Sequence, residues 1–232
     1  MPLTHLAFDM DGVIFSSEGF IAEAYKNAIT SSGLNYPLPS LEQIMAQIGS
    51  PIRVIFTNLF PGITEDEMTH LRTYTRKFVV QMVYEKKGLV YDGIPELIKT
   101  LSSGYTLAAC SNGGGRYVEA ILKTYELDKY FIPVLTLESE NVSHKGELLK
   151  SYISKNGNNS ASWVMIGDRK PDLDAAKFNN CAFIGCNWGH ADESEIQEAE
   201  IIVHQPKQIL DALEKIKKNP KLFYYSHFNP PV

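Results

Sequence analysis

Asp9 and Asp11 stand two residues apart in Asp9-Met10-Asp11-Gly12, directly after the apolar run at 3–8. Near the end of a strand, residues two apart point to the same side, so the two carboxylates can converge. Anions that close repel and require a cation or a shared proton. An aspartate that only shapes a turn is the plainer reading, since Asp-Gly dipeptides favour turns. Ser111-Asn112-Gly113-Gly114-Gly115 follows a second apolar run at 105–110. A hydroxyl and successive backbone amides at a helix start suit phosphate oxygens, although a glycine-bearing turn would read the same way. Lys145, in Ser143-His144-Lys145-Gly146, opens a helical stretch. A cation there opposes the helix dipole, so its placement asks for a nearby anion; a solvated surface lysine is the plainer reading, and His144 reads as structural. Gly167-Asp168-Arg169-Lys170-Pro171-Asp172 follows the apolar run at 163–166. Hard oxygen ligands grouped in this way suit Mg2+, which takes a few carboxylates and keeps water and substrate oxygens; helix capping by either aspartate is the alternative.

Positioning these groups is a matter of the elements between them. Apolar runs at 3–8, 105–110, 132–135, 163–166, 182–186 and 201–203 read as strands. Helical stripes separate them: Ile94, Leu97, Ile98 and Leu101, stopping at Gly104; Val118, Ile121, Leu122 and Tyr125; Leu148, Leu149, Tyr152 and Ile153. Ile209, Leu210 and Leu213 belong to a closing helix. Strands alternating with helices predict an α/β fold, a parallel sheet covered on both faces. In such a sheet a ligand binds outside the carboxyl ends of the strands, where all four clusters fall. Between the first two strands the signals are helical only. A capping box at Thr64 and Glu67 opens a helix carrying Met68, Leu71, Phe78, Val79 and Met82, and shorter helices fit 40–47 and 51–60. That stretch reads as an inserted helical unit lying over the sheet.

Bulk properties narrow the function classes. A net charge of −5 argues against a broad nucleic-acid or anionic-membrane surface, yet leaves room for a small anionic substrate held by a metal and a few cations. No apolar run approaches membrane-spanning length, and the start lacks the basic-then-apolar form of a secretory leader. Cys110, Cys181 and Cys186 sit in or beside apolar runs without ligand spacing, as buried free thiols do. The expectation is a reduced, cytoplasmic protein with no membrane or nucleic-acid partner; monomer and homodimer both stay open. Residues 221–232, with Phe223, Tyr224, Tyr225 and Phe228, are expected to pack on the body, a partner or dimer contact being the alternative.

Taken in order, the four clusters resemble the motifs of the haloacid dehalogenase-like hydrolase superfamily, over about residues 3–216. Asn187-Trp188-Gly189 is similar to the T-W-G of its phosphoglycolate phosphatase-like members, and Gly49-Ser50-Pro51 to the loop their caps carry. Val13 stands where those phosphatases usually have threonine, and D-G-V is also seen in β-phosphoglucomutase-like relatives. The resemblance implies a Rossmann-like parallel-sheet core (1–16 and 91–220), an inserted all-helical cap (17–90) and a C-terminal tail (221–232). It implies Asp9 as nucleophile and Asp11 as acid and base, with Ser111, Asn112 and Lys145 binding phosphate. Mg2+ is then held by Asp9, Asp11 through its main-chain carbonyl, and Asp168, with Asp172 behind them. Arg53 is the candidate substrate contact from the cap, with a solvated surface arginine as the equal alternative. The implied activity is hydrolysis of a small phosphorylated metabolite (a phosphoglycolate, nucleotide or sugar phosphate) through an aspartyl-phosphate. A phosphomutase shares the first transfer; a carbon–halogen hydrolase would not need the full Asp11 and Asp168 set, and a non-catalytic phosphometabolite-binding module would not need both aspartates, serine and lysine together.

Overall fold

The computed structural model describes residues 2–190 and 193–219, so the aromatic segment at 221–232 lies outside the described residues. The chain runs β1 (His5–Phe8), β2 (Phe15–Ser16), α1 (Ile21–Ser32), α2 (Leu41–Met45), α3 (Ile52–Leu59) and α4 (Glu65–Tyr84). It continues through β3 (Leu89–Val90), α5 (Ile94–Leu101), β4 (Thr106–Ala109), α6 (Gly115–Thr124) and α7 (Leu137–Glu140). α8 (Lys145–Lys155), β5 (Trp163–Gly167), α9 (Lys170–Asn179), β6 (Ala182–Cys186), β7 (Ile202–Val203) and α10 (Gln208–Lys218) follow. No helix among the described residues is long and apolar enough to cross a membrane.

Five strands form a parallel sheet in the order β4-β1-β5-β6-β7. All five residues of both β5 and β6 are buried, as expected of strands covered on both faces. Side chains alternate between two apolar clusters: Leu6 and Phe8 pack toward α5, α6 and α10, whereas Ala7, Met165 and Phe183 pack toward α8 and α9. This is the predicted Rossmann-like α/β core. Its register decides where the chemistry sits. Phe8 pairs with Ala109 on one side and Ile166 on the other, which brings the tips of β1, β4 and β5 level. The ladder holds to the last residue: Asp9 N–H donates to the Ile166 carbonyl at 2.9 Å, and Cys110 N–H to the Phe8 carbonyl at 2.7 Å. Asp9, Ser111 and Asp168 therefore emerge along one edge.

The strand expected at 132–135 does not form. Ile132 N–H donates to the Leu107 carbonyl at 2.9 Å, beside an isolated bridge between Leu107 and Phe131, and the pairing stops there. Pro133 has no N–H to extend a ladder, and Leu135 N–H is taken by the Tyr152 hydroxyl at 2.7 Å. A two-stranded antiparallel pair without a sequence signal, β2 with β3, joins the points where the chain leaves the sheet region and returns to it.

Between those points α1–α4 gather around their own apolar cluster, which includes Ile21, Tyr25, Ile44, Phe56, Phe60 and Leu71. The capping box at the start of α4 is present: the Thr64 hydroxyl accepts from Glu67 N–H at 3.3 Å, and the Glu67 carboxylate accepts from Thr64 N–H at 3.0 Å. Three polar ties hold this helical unit over the strand tips. Asn112 donates to the Gly49 carbonyl at 2.8 Å, the Arg169 guanidinium donates to the Ile48 carbonyl, and Glu138 faces Arg72 at 2.9 Å and Arg76 at 3.2 Å.

Candidate active site

At the level edge of the sheet lies a buried group of charges. Asp9, Asp168 and Asp172 are each 1% exposed or less, and each offers a carboxylate oxygen within 4.8 Å of the others. Lys145, also buried, places its ammonium 2.9 Å from Asp9 and 2.5 Å from Asp172. The anion that the position of Lys145 demanded is thus a pair of aspartates from β1 and α9. Three carboxylates against one ammonium leave two negative charges uncompensated, and the titration of the group reflects it. Burial raises Asp168 well above the usual carboxylate range, and Asp172 and Asp9 add to the rise. Burial, then the charge of Asp9, carries Asp172 to about 7 against the pull of Lys145. Burial alone would lower Lys145, but Asp172 and Asp9 outweigh it, so the ammonium stays charged.

Hydrogen bonding separates the three aspartates. One Asp9 oxygen accepts from Met10 N–H at 2.8 Å and from Lys145; the other is buried without a hydrogen-bond partner among the described residues. Asp168 likewise accepts from His190 N–H at 2.8 Å through one oxygen, while its second is buried and unpartnered. Both oxygens of Asp172 are engaged, one by Lys145 and one by Arg169 N–H at 3.0 Å. Unpartnered carboxylate oxygens out of water are costly, and two of them in one anionic cluster fit a hard divalent cation. The donor set therefore suits Mg2+ at Asp9 and Asp168, with Asp172 orienting Lys145.

Asp11 sits apart from that triad. Its carboxylate accepts from the Tyr117 hydroxyl at 2.7 Å. Burial raises Asp11 to about 6; the Tyr117 hydrogen bond opposes the rise and nearby Asp9 adds to it. A carboxyl poised there can hold a proton near neutrality and can also give it up. Ser111 lines the same cavity as Asp11, buried, its hydroxyl accepting from Gly113 N–H at 3.1 Å.

Asn112, expected to bind phosphate, spends its amide on the Gly49 carbonyl and so ties the sheet to the helical unit. Arg53 lines the cavity above the site, yet its guanidinium forms a fork with Glu65 in which both side chains are two-thirds exposed. His144 caps α8, its ring nitrogen accepting from Gly146 N–H at 3.2 Å. Tyr117 and the backbone of His190 were not singled out by the sequence. The Asn187-Trp188-Gly189 segment was the available signal for the second. A Cβ at Gly189 or at Gly12 would lie 2.2 Å from the Asp168 carboxylate, so both glycines are required for the close approach that clamps it.

Comparison with known proteins places this arrangement in context. The model of a family described as haloacid dehalogenase-like hydrolase matches residues 6–186. A 5'-nucleotidase of Pseudomonas aeruginosa is 28% identical over 204 residues, covering 87% of this chain and 88% of that protein. A phosphoglycolate phosphatase of Vibrio parahaemolyticus is 25% identical, covering 90% of this chain and 95% of that one. A solved structure from Streptococcus pneumoniae, a haloacid dehalogenase-like hydrolase, superposes with a TM-score of 0.77 at 20% identity, covering 90% of this chain and 98% of its own, and shows the same fold.

Proposed function

The chain belongs to the haloacid dehalogenase-like hydrolase family, and from that premise we propose that it is a Mg2+-dependent phosphatase of small phosphorylated metabolites. The observation that carries the proposal is the buried pair of unpartnered oxygens on Asp9 and Asp168 beside a charged Lys145. A cation between the carboxylates and a phosphoryl group beside the ammonium would balance such a cluster.

In this reading Asp9 attacks phosphorus, forming an aspartyl-phosphate as the ester oxygen leaves. Asp11 gives its proton to that oxygen, then takes one from the water that cleaves the aspartyl-phosphate. Lys145 and the Ser111 hydroxyl offset negative charge on the phosphoryl oxygens, and Asp172 aims the ammonium. Asp9, the Asp11 main-chain carbonyl and Asp168 would hold Mg2+, which when bound supplies charge neutralisation of the phosphoryl group. The helical unit at 17–90 acts as a cap that excludes water during the first transfer and selects the substrate. The three buried free thiols of the chain, Cys110, Cys181 and Cys186, suit a reducing cytoplasm. A panel of phosphate monoesters assayed for phosphate release with Mg2+ tests the proposal directly. Transfer of phosphate to a second site on a sugar, with no net release, would favour a mutase instead.

Tyr117 makes a sharper test of the role of Asp11. A hydrogen bond to a charged group contributes about 1.5–3 kcal/mol, so Tyr117→Phe is expected to lower kcat/KM on an alkyl phosphate about ten- to a hundredfold. p-Nitrophenyl phosphate, whose phenolate leaves without a proton, should lose far less. Equal losses on both esters would contradict a role for Tyr117 in placing the acid.

Arg53 is kept as a proposed cap contact. It must exchange Glu65 for substrate, so Arg53→Ala is expected to lower kcat/KM for the preferred ester by only about tenfold and to spare p-nitrophenyl phosphate. Unchanged constants on both would remove Arg53 from the site.

A further inference from the structure

The catalytic edge opens into a cavity of about 280 Å3 between the strand tips and the helical unit. Asp11, Ser111 and Asn112 form its floor. Its far walls come from α1, α3 and α4, with Ile21, Tyr25, Ile55 and Val79 as apolar lining; the wall arginines are paired, Arg53 with Glu65 and both Arg72 and Arg76 with Glu138. Two details set this space apart from a simple gap. The Thr75 hydroxyl, on α4 in the cavity wall and 4% exposed, has no hydrogen-bond partner among the described residues. The Asn112 carbonyl oxygen, in the floor, is buried and unpartnered as well. Native interiors rarely leave such groups unsatisfied, and both border the same cavity.

Resting on the phosphatase reading above, we infer that this cavity is a leaving-group subsite for nucleoside monophosphates. Size is the first ground. At about 30 Å3 per water-sized group, a two- or three-carbon leaving group of about five non-hydrogen atoms fills only roughly half of the space. It would also leave the isoleucine and valine wall facing water. Ligand pockets for ring-bearing molecules begin at about 300 Å3, close to the observed volume. Chemistry is the second ground. The Asn112 carbonyl is an acceptor only, because its NH2 is committed to Gly49, so it calls for a donor such as a sugar hydroxyl one step from the phosphoryl group. The ring of Tyr25 and the aliphatic side chains offer faces for a flat heterocycle. The Thr75 hydroxyl, which can donate or accept, then meets the polar edge of that ring. An acceptor in the floor and an apolar patch carrying an unpaired hydroxyl, with the arginines of the wall already paired to Glu138 and Glu65, match a nucleoside better than glycolate or a bare sugar.

The test uses the full chain with Mg2+ and compares uridine 5'-monophosphate, benzyl phosphate and 2-phosphoglycolate by kcat/KM. Uridine monophosphate is expected to exceed 2-phosphoglycolate by about a hundredfold or more, with benzyl phosphate between them. Thr75→Val keeps the shape and removes the unpaired hydroxyl. It is expected to lower the ratio of kcat/KM on uridine monophosphate to that on benzyl phosphate about tenfold, while the ligand-free protein melts at the same or a higher temperature. A merely structural threonine would move the melting temperature down and leave that ratio alone, which would overturn the assignment. Preference for 2-phosphoglycolate would also overturn it, with the phosphatase reading intact. Phosphate release from none of the three esters above the Asp9→Asn background would overturn both.

Discussion

Asp9→Asn is expected to yield a folded protein whose phosphate release falls by about 10^4 or more, because the amide occupies the same space but cannot attack phosphorus. The claim on folding follows from the electrostatics of the site. Asp9 is one of three carboxylates sharing a single ammonium, and Lys145 keeps Asp172 at 2.5 Å when Asp9 becomes neutral. Removing one of the two uncompensated charges relieves the cluster, so the melting temperature of the metal-free variant should equal or exceed that of the wild type. Acid-quenched wild-type enzyme should carry one phosphoryl group on the peptide containing Asp9, and the variant none. Activity within about tenfold of wild type would show that another group is the nucleophile and would remove the central step of the mechanism.

What the sequence disclosed, and what it hid, divides along the range of the interactions. Asp9 and Asp168 were legible because each ends an apolar run, and in a parallel sheet the residue after such a run must emerge at the carboxyl edge. The capping box of Thr64 and Glu67 was legible for a similar reason, being complete within four residues. Tyr117 was not. It shares α6 with an apolar stripe, and only the packing of α6 on the sheet brings its hydroxyl to Asp11, 106 residues away. The His190 contribution is a backbone N–H, which has no side-chain signature at all. The tie from the Asn112 amide to the Gly49 carbonyl was hidden as well, because the sequence separates the two residues by 63 positions. At 132–135 the apolar composition suggested a strand; Pro133 and the Tyr152 hydroxyl, a contact across 17 residues, decided otherwise.

Removing divalent cations is expected to silence the enzyme and also to change how its stability depends on pH. With a chelator, turnover should fall by at least about 10^3, returning with Mg2+ but not with Ca2+, which prefers more ligands and looser geometry. The stability effect has a defined sign. In the metal-free protein Asp11 is raised to about 6, Asp172 to about 7 and Asp168 well above its usual value. Each carboxyl thus binds its proton more tightly when folded than when unfolded. The stability this contributes is complete below the unfolded value near 4 and is lost as pH rises through the folded values. Metal-free protein should therefore melt at a higher temperature near about pH 5 than near about pH 8, the loss running through the interval from about 6 to 7 and continuing as Asp168 ionises. Mg2+ binds the ionised carboxylates in competition with protons, so its stabilisation should be small at the acid end and large at the alkaline end. At a hundredfold excess over its dissociation constant the gain is about 2.7 kcal/mol, or roughly 5–10 °C for a chain of this size. Thermal melts at the two pH values, with and without Mg2+, measure all of this. An equal shift at both, or full turnover in chelator with metal absent by elemental analysis, would mean that the two unpartnered oxygens of Asp9 and Asp168 do not hold a catalytic cation.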